Sequence, residues 1–140
     1  MRRALPWGGV RRTDEERGAA AVEFALVVPI LLILVFGIVN FGQFLSQRQA
    51  ATQAAAEGAR AAAVTPLGGD PTAQGIEAMN AALDGIGGCG GDIDCDVTIS
   101  TCGDAQCARA TVTIDFQPLI NAFPDIVFPD ISYSATAEVN

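Results

Sequence analysis

Few side chains in this 140-residue sequence are equipped to do chemistry. There is no histidine, and every basic residue is an arginine. Ser–His and Cys–His nucleophile pairs, and a phosphate-loop lysine, are therefore excluded. What remains is one glutamate inside an apolar run, Glu23, four cysteines, and three alternating aspartates, Asp92, Asp94 and Asp96. The aspartates are spaced like the start of a calcium loop. That loop would then require a glycine where Val97 stands and a glutamate where Gly103 stands. A solvated acidic turn without metal is the expectation. No catalytic residue and no cofactor is predicted, and the chain is not expected to be an enzyme.

The cysteines, Cys89, Cys95, Cys102 and Cys107, lie close together near the C-terminal end. They lack the C-x-x-C spacing of zinc sites and redox motifs, and no base is at hand to activate a thiol. An even count suits disulfides in an oxidising compartment. Cys102 and Cys107 flank "GDAQ", which reads as a hairpin loop, and pairing them leaves Cys89 for Cys95. Three connectivities exist, and sequence alone does not choose among them.

Glu23 is the anomaly. It stands in "RGAAAVEFALVVP", Arg17 to Pro29, at the head of a segment that otherwise suits lipid. An ionised carboxylate in hydrocarbon costs a few kcal/mol or more, so it requires a partner. From Phe24 to Gln47 there is no charge at all, enough for a membrane-spanning helix of about 20 residues. Ahead of it stand Arg2, Arg3, Arg11, Arg12 and Arg17. Beyond it only Arg48, Arg60 and Arg109 face a long series of acids from Glu57 to Glu138. The basic end is expected in the cytoplasm and the acidic body outside, as a single pass through the cytoplasmic membrane. A net charge of −8 leaves nothing to neutralise a nucleic-acid backbone.

The elements that must carry these residues follow from composition. Residues 1–18 read as a basic, flexible leader. Its arginine pairs resemble a twin-arginine signal only weakly, because "RRTDEER" continues with acids. Residues 19–45 form the membrane segment, and 46–64 an alanine-rich helical stalk, helix being favoured from Ala19 to Val64. Pro29, Gly37, Gly42 and Gly58 are expected to bend or loosen it. "TPLGGDP" ends it. Residues 65–140 form a small disulfide-bearing head. Within it, Asp70 caps a short helix from Pro71 to about Asp84, with Ile76, Met79, Leu83 and Ile86 at helical spacing. Three strands then alternate: Val97, Ile99 and Thr101 on one face, then Val112, Ile114 and Phe116, then Ile131, Tyr133, Ala135, Ala137 and Val139. The alanine-rich helix is the natural cover for the apolar face of this sheet. The fold class is α+β: a long N-terminal transmembrane helix with a small antiparallel-sheet extracytoplasmic head.

Three readings of the apolar segment compete. A cleaved secretory signal has a shorter apolar core and a small-residue cut site, neither of which is present. A plain anchor explains the length but not Glu23 or Gly18. The third reading is a resemblance. A glycine after a basic leader, a glutamate five residues on and a long apolar helix resemble the type IV pilin family. "RGAAAVEFALVVPILLILVFGIVNFGQFLSQRQAATQAAAEGARAAA" more closely resembles the TadE-like proteins of the tight-adherence (Flp) pilus system. The resemblance implies cleavage by a prepilin peptidase after Gly18, with Ala19 as the new N-terminus and Glu23 as its fifth residue. It implies a minor pilin or pseudopilin, with other pilus or membrane-platform subunits as partners. Glu23 would then pair with an N-terminal amine. The rival is a membrane-tethered extracytoplasmic binding module, in which the helix only anchors.

Overall fold

Alanine has the highest helix propensity of all residues, and the chain uses it to extend an apolar helix well past its lipid-like part. The computed structural model describes residues 12–119 and 128–139. The first eleven residues of the expected leader, and 120–127 of the Pro-rich connection, lie outside the described residues. Helix α1 spans Arg12–Ala63 and runs unbroken through Pro29, Gly37, Gly42 and Gly58. It begins at Arg12 rather than Ala19, so part of the expected flexible leader is helical.

The chain divides into two compact units, one ending at Ile38 and the other beginning at Val39. In the first, α1 carries an apolar surface with its side chains outward: Phe24, Leu26, Ile30, Leu31 and Leu34 are all exposed. The stretch Gly18–Ala63 is long and apolar enough to cross a membrane.

In the second unit the remainder of α1 is followed by helix α2, Pro71–Ala82, a 3₁₀ turn, Asp84–Ile86, and strands β1, Ile93–Cys102, β2, Ala105–Ile114, and β3, Ile131–Glu138. The sheet is an antiparallel meander in the order β1-β2-β3. Asp70 caps α2 as its sequence predicts, its side chain accepting from the backbone N–H groups of Thr72 and Ala73 at 2.9 and 3.2 Å. The β1–β2 turn is tighter than the loop expected from the sequence. Cys102 pairs directly with Ala105, so only Gly103 and Asp104 turn the chain. Gly103 has φ +69° and, among the described residues, no other residue type has positive φ, the pattern of a type II′ hairpin with glycine first.

The core lies where α1, α2 and the inner sheet face meet. Ala51, Ala54, Ala55, Ala59, Ala62 and Ala63 of α1 are buried with Met79 and Leu83 of α2 and with Val97, Ala110, Val112 and Ile114 of the sheet. Each large aliphatic side chain buried here contributes about 1.5–3 kcal/mol, but a methyl contributes far less. The alanine face stabilises only if its neighbours come very close. Glycine allows them to. A Cβ on Gly75 of α2 would stand 2.9 Å from the Gly58 carbonyl oxygen, 3.0 Å from Val97 Cγ2 and 3.2 Å from Ala62 Cβ. Gly58 in turn faces Met79 and Ala110. Gly58, expected to loosen the helix, is instead a contact point between three elements.

Gly75→Val therefore forces side chain into backbone, and about 2–3 kcal/mol of head stability is lost, in the range for overpacking. Gly37→Ala, whose new methyl meets nothing within 4 Å, leaves the head's stability unchanged. Urea unfolding of the detergent-solubilised chain, followed by circular dichroism, separates the two.

Candidate functional site

Two groups of residues carry the candidate function, one in each unit. In the first, α1 places Gly18, Ala19 and Glu23 on an exposed stretch of helix. Nothing lies within 4 Å of the position a Gly18 side chain would take. Glu23 lies four positions after Ala19, one helical turn, so their Cα atoms are separated by about 6 Å along the axis. Among the described residues, no cation pairs with Glu23. Among the described residues, the position of a Gly18 side chain is thus unobstructed and the Glu23 carboxylate has no charged partner.

The second group lies at the base of the second unit, beside the last turns of the apolar run. Asn40 is 9% exposed, far drier than the apolar side chains around it. Gln43 reaches across to the segment that leaves β2. Its amide nitrogen donates to the Gln117 carbonyl at 3.4 Å, and its oxygen accepts from the Leu119 N–H at 3.3 Å. One side-chain amide thereby serves as donor and acceptor for a stretch of backbone, as a neighbouring strand would. Phe44 follows directly and packs edge-on to Phe116 at 5.3 Å between centroids, with Phe128 at 5.9 Å. Phe116 and Phe128 close the triangle at 5.0 Å. Such aromatic pairs add about 0.5–1.5 kcal/mol each beyond the area they bury. Gln43 and Phe44 read in the sequence as the close of a membrane segment, and nothing local marks them as partners of residues so far along the chain.

The cysteines form two bridges, Cys89–Cys95 with Cα atoms 5.7 Å apart and Cys102–Cys107 with 5.8 Å. The first ties the glycine-rich bend after α2 to β1, and the second straddles the hairpin. Asn80 helps the first by accepting from the Cys89 N–H at 2.8 Å. Asp94 and Asp96 are not in a turn as expected: both are exposed members of β1, and alternation puts them on its outer face. Asp92 alone stays in the bend, its carbonyl accepting from the Asp115 N–H at 2.9 Å. No group of side chains suited to hold a metal ion occurs among the described residues.

The comparisons bear on the first group. A model of the TadE-like protein family matches residues 18–60, from Gly18 to Arg60. Over that stretch the chain is similar to this family. No curated protein and no solved structure matches it. The TadE-like segment contains Gly18, Glu23, the apolar run and most of the alanine face, and it stops short of α2 and the sheet. The two bridges lie beyond the matched segment, whereas the head's core draws on Ala51, Ala54, Ala55 and Ala59 within it.

Those bridges close short loops, with sequence separations of 6 and 5. Chain-entropy reasoning assigns each about 2 kcal/mol through the unfolded state. Replacing both cysteines of either pair by alanine is expected to cost similar amounts, and full reduction roughly their sum. Urea midpoints of the two double variants, with and without reductant, test this.

Proposed function

We propose that the protein is a minor pilin or pseudopilin of the Tad pilus, cut by a prepilin peptidase after Gly18. α1 spans the cytoplasmic membrane with the N-terminus inside and the head outside. The observation that carries this reading is Glu23, a carboxylate one turn after Ala19, unpaired among the described residues, in a segment that matches the TadE-like family from Gly18 onward. Cleavage creates an α-ammonium at Ala19. That cation is available to Glu23 of its own chain or of a neighbour packed beside it, and the positive helix end adds to the attraction. Gly18 suits the cut because a residue without a side chain lets a protease approach the backbone closely. The apolar surface of the first unit serves first to hold the chain in lipid and then to pack against other pilus or membrane-platform subunits.

A second reading has its own support. The unit from Val39 onward is compact, doubly bridged and built to persist outside the membrane. In that case it is a tethered binding module and Glu23 is a passenger.

Glu23 separates the two. Co-expression with a prepilin peptidase should give an intact mass for a chain starting at Ala19; a chain that retains Met1 under these conditions overturns the processing. Glu23→Leu should leave membrane insertion, cleavage and both disulfides intact. It removes the partner of a buried α-ammonium, a loss of several kcal/mol, so cross-linking to other pilus subunits should fall at least about tenfold. Undiminished cross-linking and normal piliation would favour the tethered module.

A further inference from the structure

Arg48 is the first charged residue after the run Phe24–Gln47. Beside it lies a cleft of about 260 Å³, formed by Phe44 and Arg48 of α1 and by residues 129–133 at the start of β3. Its lining is unlike the rest of the head. Arg48 brings a guanidinium and Asp130 a carboxylate, yet among the described residues no ion pair joins them, and no hydrogen bond engages either side chain. Two opposite charges thus face one cavity with neither satisfying the other. Tyr133 adds a hydroxyl, and Phe44 and Ile131 add an apolar surface, while the Ser132 hydroxyl is turned to Thr113 on the other face of the sheet. Tyr133 stays 42% exposed although its strand neighbour Ile131 is buried.

The position of the cleft along α1 determines what it meets. About 20 residues of helix cross the hydrocarbon core, and counting from Phe24 reaches Gln43. Arg48 is five residues further on, about 7 Å at the helical rise. The headgroup layer occupies the first 5–8 Å or so beyond the hydrocarbon, so Arg48 falls at the level of lipid phosphates. Tyrosine with an apolar body and a polar tip is a typical side chain for that layer.

We propose that this cleft binds the headgroup of a zwitterionic phospholipid bearing a primary amine. The phosphate lies against Arg48 and the ammonium against Asp130, with the Tyr133 hydroxyl as a further hydrogen-bonding group. The glycerol and first acyl carbons rest on Phe44 and Ile131. Charge complementarity selects this occupant. A purely anionic headgroup would meet a single cation together with the opposing charge of Asp130, whereas anionic lipid is ordinarily drawn by clusters of basic residues. A quaternary ammonium headgroup would match the charges but has no N–H to give the Asp130 carboxylate. The site rests on α1 spanning a bilayer, but not on cleavage, on Glu23 or on the pilus role.

The test uses the full chain with 3-fluorotyrosine in place of its one tyrosine, so that a single fluorine resonance reports Tyr133. It is placed in nanodiscs of phosphatidylcholine containing increasing phosphatidylethanolamine or phosphatidylglycerol. A saturable shift with phosphatidylethanolamine, and little with the other two, is expected. Arg48→Gln should raise the lipid fraction needed for half the shift by about tenfold, as for loss of one charge-assisted hydrogen bond. Asp130→Asn should erase the preference over phosphatidylcholine. Both positions are exposed, so the disulfide map and circular dichroism spectrum should stay unchanged. A resonance indifferent to lipid, an equal response to phosphatidylglycerol, or a wild-type response from Arg48→Gln would each overturn the proposal. No pilus component enters this assay, so its failure leaves the pilus reading standing, and failed cleavage after Gly18 leaves the assay's outcome untouched.

Discussion

The distance at which α1 passes its neighbours in the second unit governs what the head is able to be. A helix face made of alanine has little area to bury per residue, so contact has to be made at backbone range. Gly58 and Gly75 permit it, with the Gly58 carbonyl oxygen only 2.9 Å from where a Gly75 side chain would begin. With α1 and α2 this near each other, Met79 and Leu83 seal one side and Val97 and Ala110 the other. Larger side chains at these points would move the helices off the sheet and leave the alanines facing voids.

A core so thin needs help from outside itself. The two bridges supply it at the bend after α2 and at the hairpin, each restraining the unfolded chain. The Gln43 amide and the three phenylalanines supply it at the other end, where the segments leaving β2 and entering β3 meet α1. The bridges add little buried area and the phenylalanines more. Both fix irregular backbone to regular elements, which a small domain must do if its loops are to hold a site.

How much of this is legible in the sequence depends on how local the cause is. The Asp70–Pro71 helix start, the alternation of β1 to β3, and the cover of the sheet by alanine-rich helix all follow from neighbouring residues. The Gly18–Glu23 pattern is also local, and the helix that carries it follows from composition. Gly58 is not legible as a contact, because a glycine in a helix looks like weakness until its neighbour in space is known. Gln43 grips backbone 74 positions away, and no window of sequence reports that. The cleft beside Arg48 is equally non-local, because its other wall comes from the start of β3.

The order of elements along the chain gives the alanine face one more property. Synthesis runs from the N-terminus, so this face leaves the ribosome before α2 and before any strand. Its cover does not yet exist. A leucine-rich surface left open in that interval would invite association with other nascent chains, as exposed apolar surface commonly does. Single methyl groups offer little area for such contacts. The residue type that lets the finished helix approach its sheet so closely is also one that tolerates waiting for it in water.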